Sequence, residues 1–485
     1  MTIDAGFFKI IKSDCSSAFT STLPTTCKPD TVFIDGQIKL MKADAVTSWS
    51  QFLNLQYYKT IEQSFGFGAN VVVLAFDNYT YVPVSKGMTQ ANRSKHMPDV
   101  KFTERDSLPA SMPDQWAAVM RNRTFKVKVI KYVLQCVKTW FEAKFEAAQV
   151  SGDATWMNRT LVLDFVDEPI VLGKNITNPI TAELAVGRGE CDIKAFNWLE
   201  ESKRMMIYST DGDYLPISLL QLQKHNKQCE ILLYRIETSL PSMKKKKRVR
   251  DDQKLQSKFQ KEFVHINTIY DWICTAVPSR KTSSINQFCC IIAMCGCDFA
   301  MNLPQLGPKR LWQIRHLFRN LDLTSNVFLT LAISLAYTHY FVQKNPPIPA
   351  SDDGADNMPQ CLAHLGNTLH KITLNTRNNR LVAQMWSSPR VCAHALNVLW
   401  VLQYWDLLQA HANPHASSWG YAIDAKGRGR VPPGHRDGSK RCGLVHNRLT
   451  RELGLQLVCR WWRCECWGAV GVAKIVAVNG QGGRE

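Results

Sequence analysis

The stretch Val71-Val72-Val73-Leu74-Ala75-Phe76-Asp77 decides the fold. An unbroken apolar run that ends in an acid suits a strand buried on both faces, and such strands belong to parallel sheets covered by helices. Two further runs have the same form. Val32-Phe33-Ile34 runs into Asp35, and Met205 to Tyr208 leads through Ser209 and Thr210 to Asp211. Helix-like stretches lie between them, including Ile193 to Arg204, which places Ile193, Phe196 and Leu199 on one side. Alternating strands and helices predict an α/β fold: a central, mostly parallel sheet flanked by helices. In such sheets ligands bind beyond the carboxyl ends of the strands, so the three acids are expected on one edge.

Outward from these runs the composition shifts. From about Val84 to Gly152 the chain is basic, and its second half, Thr124 to Val150, reads as a helix bearing Lys126, Lys128, Lys131, Lys138 and Lys144. A long basic insertion between two sheet strands has a purpose or is disordered. Met243 to Arg250 is a dense run of cations, which suits a solvated loop, a nuclear import signal or a phosphate-binding loop. Val327 to Val342 is the most apolar long stretch, but Thr330, Ser334, Thr338 and His339 make it a buried helix rather than a membrane span. Ala395 to Leu408 reads as a further helix packed on the body. The expected organisation is a core over residues 1–242 with a basic arch at about 84–150, and a basic loop over 243–262. The core is completed over 263–322, and a mainly helical extension over 323–408 and an irregular basic tail over 409–485 follow.

With 485 residues, 45% hydrophobic and 21% charged, the composition is that of a globular chain of two or three domains. The net charge of +18 favours a polyanionic partner, because each neutralised phosphate releases condensed counterions. Charge alone would also admit an acidic membrane surface. The 16 cysteines are spread through apolar stretches, and Met1 to Lys12 lacks a continuous apolar h-region. Free thiols in a reducing, intracellular compartment are therefore expected. Cys442, His446, Cys459, Cys464 and Cys466 match no four-ligand zinc spacing.

Singly, each acidic element is weak. Asp211-Gly212-Asp213 could be a turn; if the strand continues through it, the two carboxylates share a face. Glu190 and Asp192, two apart, would point roughly 200° from each other on a regular helix. They can reach one site only from a helix entrance, and Gly187 and Gly189 place that entrance just before them. A helix N-terminus also favours carboxylates.

Taken in order, Asp35, Asp77, Glu190 with Asp192, Asp211 with Asp213, and Asp298 form a succession that resembles the acidic set of the flap endonuclease/XPG family of structure-specific 5′ nucleases, within the PIN-like superfamily. The surrounding residues carry the resemblance too. Gly6-Phe-Phe-Lys-Ile-Ile-Lys12 is similar to the family's opening element, Thr31-Val-Phe-Ile-Asp-Gly36 to its first acidic strand, and Gly189-Glu-Cys-Asp192 to its G-E-A-E/D step. Ser209-Thr-Asp-Gly-Asp-Tyr-Leu215 resembles the T-x-D-x-D-x-L strand end. Gly296-Cys-Asp-Phe299, followed by Leu303-Pro-Gln-Leu-Gly-Pro-Lys-Arg310, resembles G-x-D-Y followed by G-I-G-P-K, with Gln305 at the place of the first Gly of that element. The likeness spans roughly residues 1 to 320.

The resemblance implies a hydrolase acting on DNA with a 5′ flap, nick or junction through two bound Mg²⁺ or Mn²⁺ ions. Asp35, Asp77, Glu190 and Asp192 would serve mainly one ion, and Asp211, Asp213 and Asp298 the other. Two like charges about 4 Å apart repel by about 4 kcal/mol at an effective dielectric of 20, so a cluster of carboxylates calls for cations. Hard oxygen donors suit these two ions, which can activate a water and stabilise a leaving oxygen. In the arch, Lys86 and Arg93 have the family's seven-residue spacing and would stabilise charge on the scissile phosphate. Gly307, Lys309 and Arg310 would grip the duplex backbone from a helix–turn–helix, where family members often bind K⁺. No sliding-clamp motif is found at the C-terminus, and a nuclear monomer is expected. RNA remains an alternative substrate, as for 5′→3′ exoribonucleases and PIN-domain ribonucleases, and so does a non-catalytic structure-binding protein on the same fold.

Overall fold

Burial on both faces makes the apolar runs strands. In β2 (Thr31–Asp35) and β4 (Thr160–Asp164) every residue is buried, as are the last four of β3 (Val71–Ala75) and of β6 (Arg204–Tyr208). The computed structural model describes residues 3–24, 27–41, 48–77, 101–113, 115–165, 169–174, 190–199, 203–238, 259–277, 279, 283–297, 307–319, 321–323, 388–407, 422–423 and 429–430.

With β1 (Phe19–Thr20), β5 (Ile170–Gly173), β7 (Glu230–Thr238) and β8 (Phe259–His265), these strands form one eight-stranded sheet of order β1-β8-β7-β6-β2-β3-β4-β5. The five central strands, β7-β6-β2-β3-β4, are mutually parallel. The antiparallel pairs lie toward the edges, at β1-β8, β8-β7 and β4-β5. The fold is thus the expected mostly parallel α/β sheet flanked by helices.

One face of the sheet presents Val32, Ile34, Val72, Leu74, Leu161, Leu163 and Met206 to Phe52, Tyr57, Phe125, Val133 and Phe141 of the helices over it. The alternate residues Phe33, Val73, Val162 and Ile207 are equally buried. On the other side the helices Tyr214–Lys224, Ile266–Ala276 and Ser284–Met294 pack together, the second of them on β7.

The predicted basic helix is Arg123–Ser151. Asn122 caps it by accepting the Phe125 N–H at 2.9 Å, and Gly152 ends it at φ +73°, a left-handed conformation that glycine adopts without strain. Phe125, Val129, Val133, Val137 and Phe141 turn one side of it into the core, while Lys131 and Lys144 are exposed.

Two sequence expectations are corrected. The helix expected over Ile193 to Arg204 is a helical turn Cys191–Lys194 and a 3₁₀ turn Ala195–Trp198, and Arg204 already opens β6. Parallel pairing of β6 with both β2 and β7 claims Arg204 for the sheet, overriding the helical spacing of Ile193, Phe196 and Leu199. The expected basic loop ends earlier than 262, because Phe259 to Glu262 pair with β7.

The chain divides into two units. The first comprises Met1–Leu323 with Val398–Asn413 and contains the eight-stranded sheet. There, Gln221 Nε2 donates to the carbonyls of Trp405 at 3.2 Å and Asp406 at 3.1 Å. The second unit comprises Thr324–Asn397 with Pro414–Glu485 and includes a short antiparallel pair, β9 (Ala422–Ile423) with β10 (Gly429–Arg430). The helix expected near 395–408 is Ser388–Leu407, and the stretch Val327 to Val342 lies outside the described residues. Among the described residues no helix is long and apolar enough to cross a membrane.

Candidate active site

Parallel strands end together, and here they end in acids. Asp35 is the last residue of β2, and Asp164 the last of β4; Asp35 pairs in register with Ala75 of β3, which pairs on its other side with Asp164. Asp77 follows β3 by two residues, and Asp211 follows β6 by three. The carboxyl edge of the sheet therefore carries all four.

Asp35 also opens the helix Gly36–Leu40, accepting the N–H groups of Gln37 at 3.0 Å and Ile38 at 3.4 Å through Oδ1. Gly36 is required by close approach: a Cβ there would lie 2.6 Å from the Phe76 ring and 2.8 Å from the Ala75 carbonyl oxygen. The second carboxylate oxygen of Asp35 accepts from Ser209 Oγ at 3.2 Å and from the Tyr214 hydroxyl at 3.5 Å. Ser209 Oγ in turn accepts the Asp211 N–H at 3.1 Å, so one hydroxyl joins the ends of β2 and β6.

Glu190 is the extended residue just before the helical turn Cys191–Lys194, and Asp192 lies in its first turn. That is the entrance geometry required of two acids at this spacing. Both are buried, and the Cys191 N–H between them donates to Asp77 Oδ1 at 3.0 Å. The two-residue step thus joins Asp77 through its backbone.

Asp211 and Asp213 do not share a strand face, because β6 stops at Tyr208. Asp211 is exposed in the following loop, and Asp213 precedes the helix Tyr214–Lys224 with its N–H donating to Asp211 Oδ1 at 3.2 Å. An Asp side chain that accepts a backbone N–H two residues on stabilises a turn, which here outcompetes strand continuation.

The electrostatics bind these placements together. Burial pushes the Asp35 carboxyl well above the usual carboxylate range, and Asp77, Asp211 and Asp192 each push it further, against the Ile38 N–H, which pulls it down. Burial and then Asp77 and Asp35 raise the Cys191 thiol. Burial and then Asp35 raise the hydroxyls of Tyr57 and Tyr214. Four acids from three strand ends and one helix entrance therefore share one field.

Among the described residues, no three His, Cys, Asp or Glu side chains are grouped closely enough to hold a metal ion as they stand. The donor chemistry nonetheless fits a hard divalent cation, since the converging groups are carboxylates on one sheet edge. A cation among them would lower the cost of ionising Asp35, which three neighbouring carboxylates now increase.

Sequence reasoning missed two buried cations at this edge and the acid that pairs with one of them. Lys39 Nζ donates to the Tyr208 hydroxyl at 2.7 Å, and Lys194 Nζ to Asp164 Oδ1 at 2.8 Å. Burial raises the Asp164 carboxyl, and the Lys194 ammonium pulls it down. The signal for Asp164 was present: Thr160-Leu161-Val162-Leu163 is another apolar run ending in an acid. The lysines carried no comparable signal, because cations on short helices are usually solvated.

Gly307 is the extended residue before the helix Pro308–Gln313, with open space where a Cβ would stand. Lys309 is exposed and Arg310 half-buried. Asp298, Lys86 and Arg93 lie outside the described residues, as do Gln305 and the cationic run from Met243 to Arg250.

No family model matches the chain, and no curated protein matches it. Among solved structures, the catalytic core of Rad2 in complex with DNA substrate is similar at 12% identity and a TM-score of 0.33, over 82% of this chain and 93% of that one. The T5 D15 protein co-crystallized with metal ions is similar at 12% identity and a TM-score of 0.29, over 79% of this chain and 99% of that one. Likeness at these values carries neither family nor chemistry, and the site stands on its own geometry.

Proposed function

We propose that the protein is a divalent-metal-dependent nuclease of the flap endonuclease/XPG kind, hydrolysing phosphodiester bonds in DNA at 5′ flaps, nicks or junctions. One observation carries the reading: Asp35, Asp77, Asp192 and Asp211 converge on the carboxyl edge of a parallel sheet, where three of them raise the fourth. A protein that met phosphates only by binding them would gain nothing from such a negative cluster.

In this reading Asp35, Asp77, Glu190 and Asp192 hold one Mg²⁺ or Mn²⁺, and Asp211, Asp213 and Asp298 a second. Bound divalent cations supply charge neutralisation and Lewis acidity at the phosphodiester. The chain's own residues do the rest. Ser209 holds Asp35 and the Asp211 backbone in one arrangement, and the Cys191 N–H does the same for Asp77. Lys86 and Arg93 stabilise charge on the scissile phosphate from the basic arch. Gly307, Lys309 and Arg310 hold duplex backbone, with K⁺ as a further ligand there. Recognition is of shape and ends, because phosphate contacts carry no base information. The protein works as a nuclear monomer, and the run from Lys244 to Arg250 serves as its import signal or as a phosphate-binding loop.

The test is cleavage of a 5′-labelled flap, a nicked duplex and a closed bubble, with Mg²⁺ and with EDTA, alongside a matched RNA flap. Mg²⁺-dependent incision near the DNA flap base is expected. Faster cutting of the RNA flap would reassign the enzyme to the ribonucleases, and tight binding with no cleavage of any substrate would make it a binding protein.

A further inference from the structure

Glu190 stands just before, and Asp192 within, the helical turn Cys191–Lys194, which is far too short to hold its own shape in water. Something must hold it, and its last residue does. Lys194 is fully buried, at 0% exposure. Its ammonium donates to Phe165 O at 2.6 Å, Asp164 Oδ1 at 2.8 Å and Phe76 O at 3.0 Å. An ammonium has three donors, and three acceptors from two strand ends meet them. Phe76 immediately precedes Asp77, whose carboxylate accepts the Cys191 N–H at 3.0 Å. The turn is therefore tied at both its ends, by backbone at Cys191 and by side chain at Lys194, to adjacent residues beyond β3.

We propose that Lys194 is a positioning residue that clasps the Cys191–Lys194 turn to the ends of β3 and β4 and so fixes Asp77, Glu190 and Asp192 in one relative arrangement for divalent-cation binding. This rests on the reading of those acids as metal ligands. An apolar side chain could fill the space, but it could not bond two carbonyls and a carboxylate that belong to different strands. A buried ion pair is a poor source of stability, since desolvation offsets most of the attraction, whereas its directed bonds specify position. With its three donors engaged by Phe76, Asp164 and Phe165, Lys194 acts through the acids it places.

The test uses the full chain, Lys194→Met, and Lys194→Met combined with Asp164→Leu. Three quantities are measured: the melting temperature, Mn²⁺ binding by calorimetry, and amide hydrogen exchange without metal. Lys194→Met leaves Asp164 buried without its ammonium, so its melting temperature falls. The double variant removes that lone carboxylate and recovers most of the loss. Its Mn²⁺ affinity stays about 10- to 100-fold below wild type, the range expected when a group that orients ligands is removed. Exchange at the Cys191 amide rises about tenfold or more in the double variant, while amides of β2 and β3 keep their protection. A double variant that binds Mn²⁺ like wild type with Cys191 exchange unchanged overturns the proposal. Wild-type protein that binds no Mn²⁺ overturns the metal reading instead, and faster Cys191 exchange in the variant then still upholds the clasp.

Discussion

The position a Cβ would take on Gly6 lies 2.6 Å from Cγ of Pro308. The helix Ile3–Asp14 and the helix Pro308–Gln313, which carries Lys309 and Arg310, thus meet where one residue has no side chain. Trp312 adds a second tie, its indole N–H donating to Asp14 at 3.3 Å. Two sequence elements about three hundred residues apart, each singled out for its own pattern, are parts of one contact.

Enlarging Gly6 should loosen that contact. Gly6→Ala returns roughly 1 kcal/mol of helix propensity against an overpacking cost of about 1–3 kcal/mol, so its net effect is a loss of about 0–2 kcal/mol. Gly6→Val adds bulk with less gain in propensity and should lose about 1–3 kcal/mol. Urea denaturation checks both. Pairing Gly6→Val with Pro308→Ala should restore part of the stability, and a strictly additive double variant would show that the contact is not the cause.

Removing an acid should stop the chemistry and spare the substrate. Asp77→Ala and Asp211→Ala are each expected to lower Mg²⁺-supported cleavage by several orders of magnitude while leaving DNA binding in Ca²⁺ nearly unchanged. Single-turnover cleavage and equilibrium binding measure the two effects. Wild-type cleavage in either variant would remove that acid from the site.

Asp35 gives the metal-free protein a pH signature. Its carboxyl is raised in the native state, first by burial and then by Asp77, Asp211 and Asp192, with the Tyr57 and Tyr214 hydroxyls also facing it. Below about pH 4, the ordinary Asp value, Asp35 is protonated in both states and the penalty is absent. As pH rises past that value the unfolded chain ionises freely while the native state keeps its proton, so stability falls until the raised native value is passed. Asp164, raised mainly by burial, acts with the same sign. Melting temperatures in EDTA should therefore decline from about pH 4 toward neutrality, less steeply in Asp35→Asn, and Mn²⁺ should offset the decline at the upper end. A pH profile identical in wild type and Asp35→Asn would show that Asp35 is not the group responsible.

The cationic run makes a separate forecast. Deleting Lys244 to Arg250 should abolish nuclear import, or else flatten the dependence of log K on log salt by roughly 0.9 for each phosphate no longer neutralised. Imaging of a tagged chain and a binding titration across salt concentrations distinguish the two. Neither effect would make the run a solvated loop.

Three central strands, β2, β3 and β6, were legible because a both-face-buried strand needs an unbroken apolar run, and such runs stand out as Val32 to Ile34, Val71 to Phe76 and Met205 to Tyr208. Their terminal acids were legible for the same reason, since an acid after such a run has to lie at the sheet edge. The helix Arg123–Ser151 was also readable from local pattern. Local pattern failed between Ile193 and Arg204, where helical spacing is interrupted by a strand that forms only through its neighbours β2 and β7.

By itself, then, the sequence determined three of the eight strands of the sheet, the acids Asp35, Asp77 and Asp211 that follow them, and that Glu190 and Asp192 must sit at a helix entrance. Only the tertiary structure decided how those ends are held. Ser209 bridging Asp35 and Asp211, Gly6 against Pro308, and Lys194 among Asp164, Phe76 and Phe165 each join distant segments. Periodicity reports only what a residue does within its own element. A lysine four places after an acid reads as solvated until the strands around it close, and then its burial makes it the tie that holds the turn.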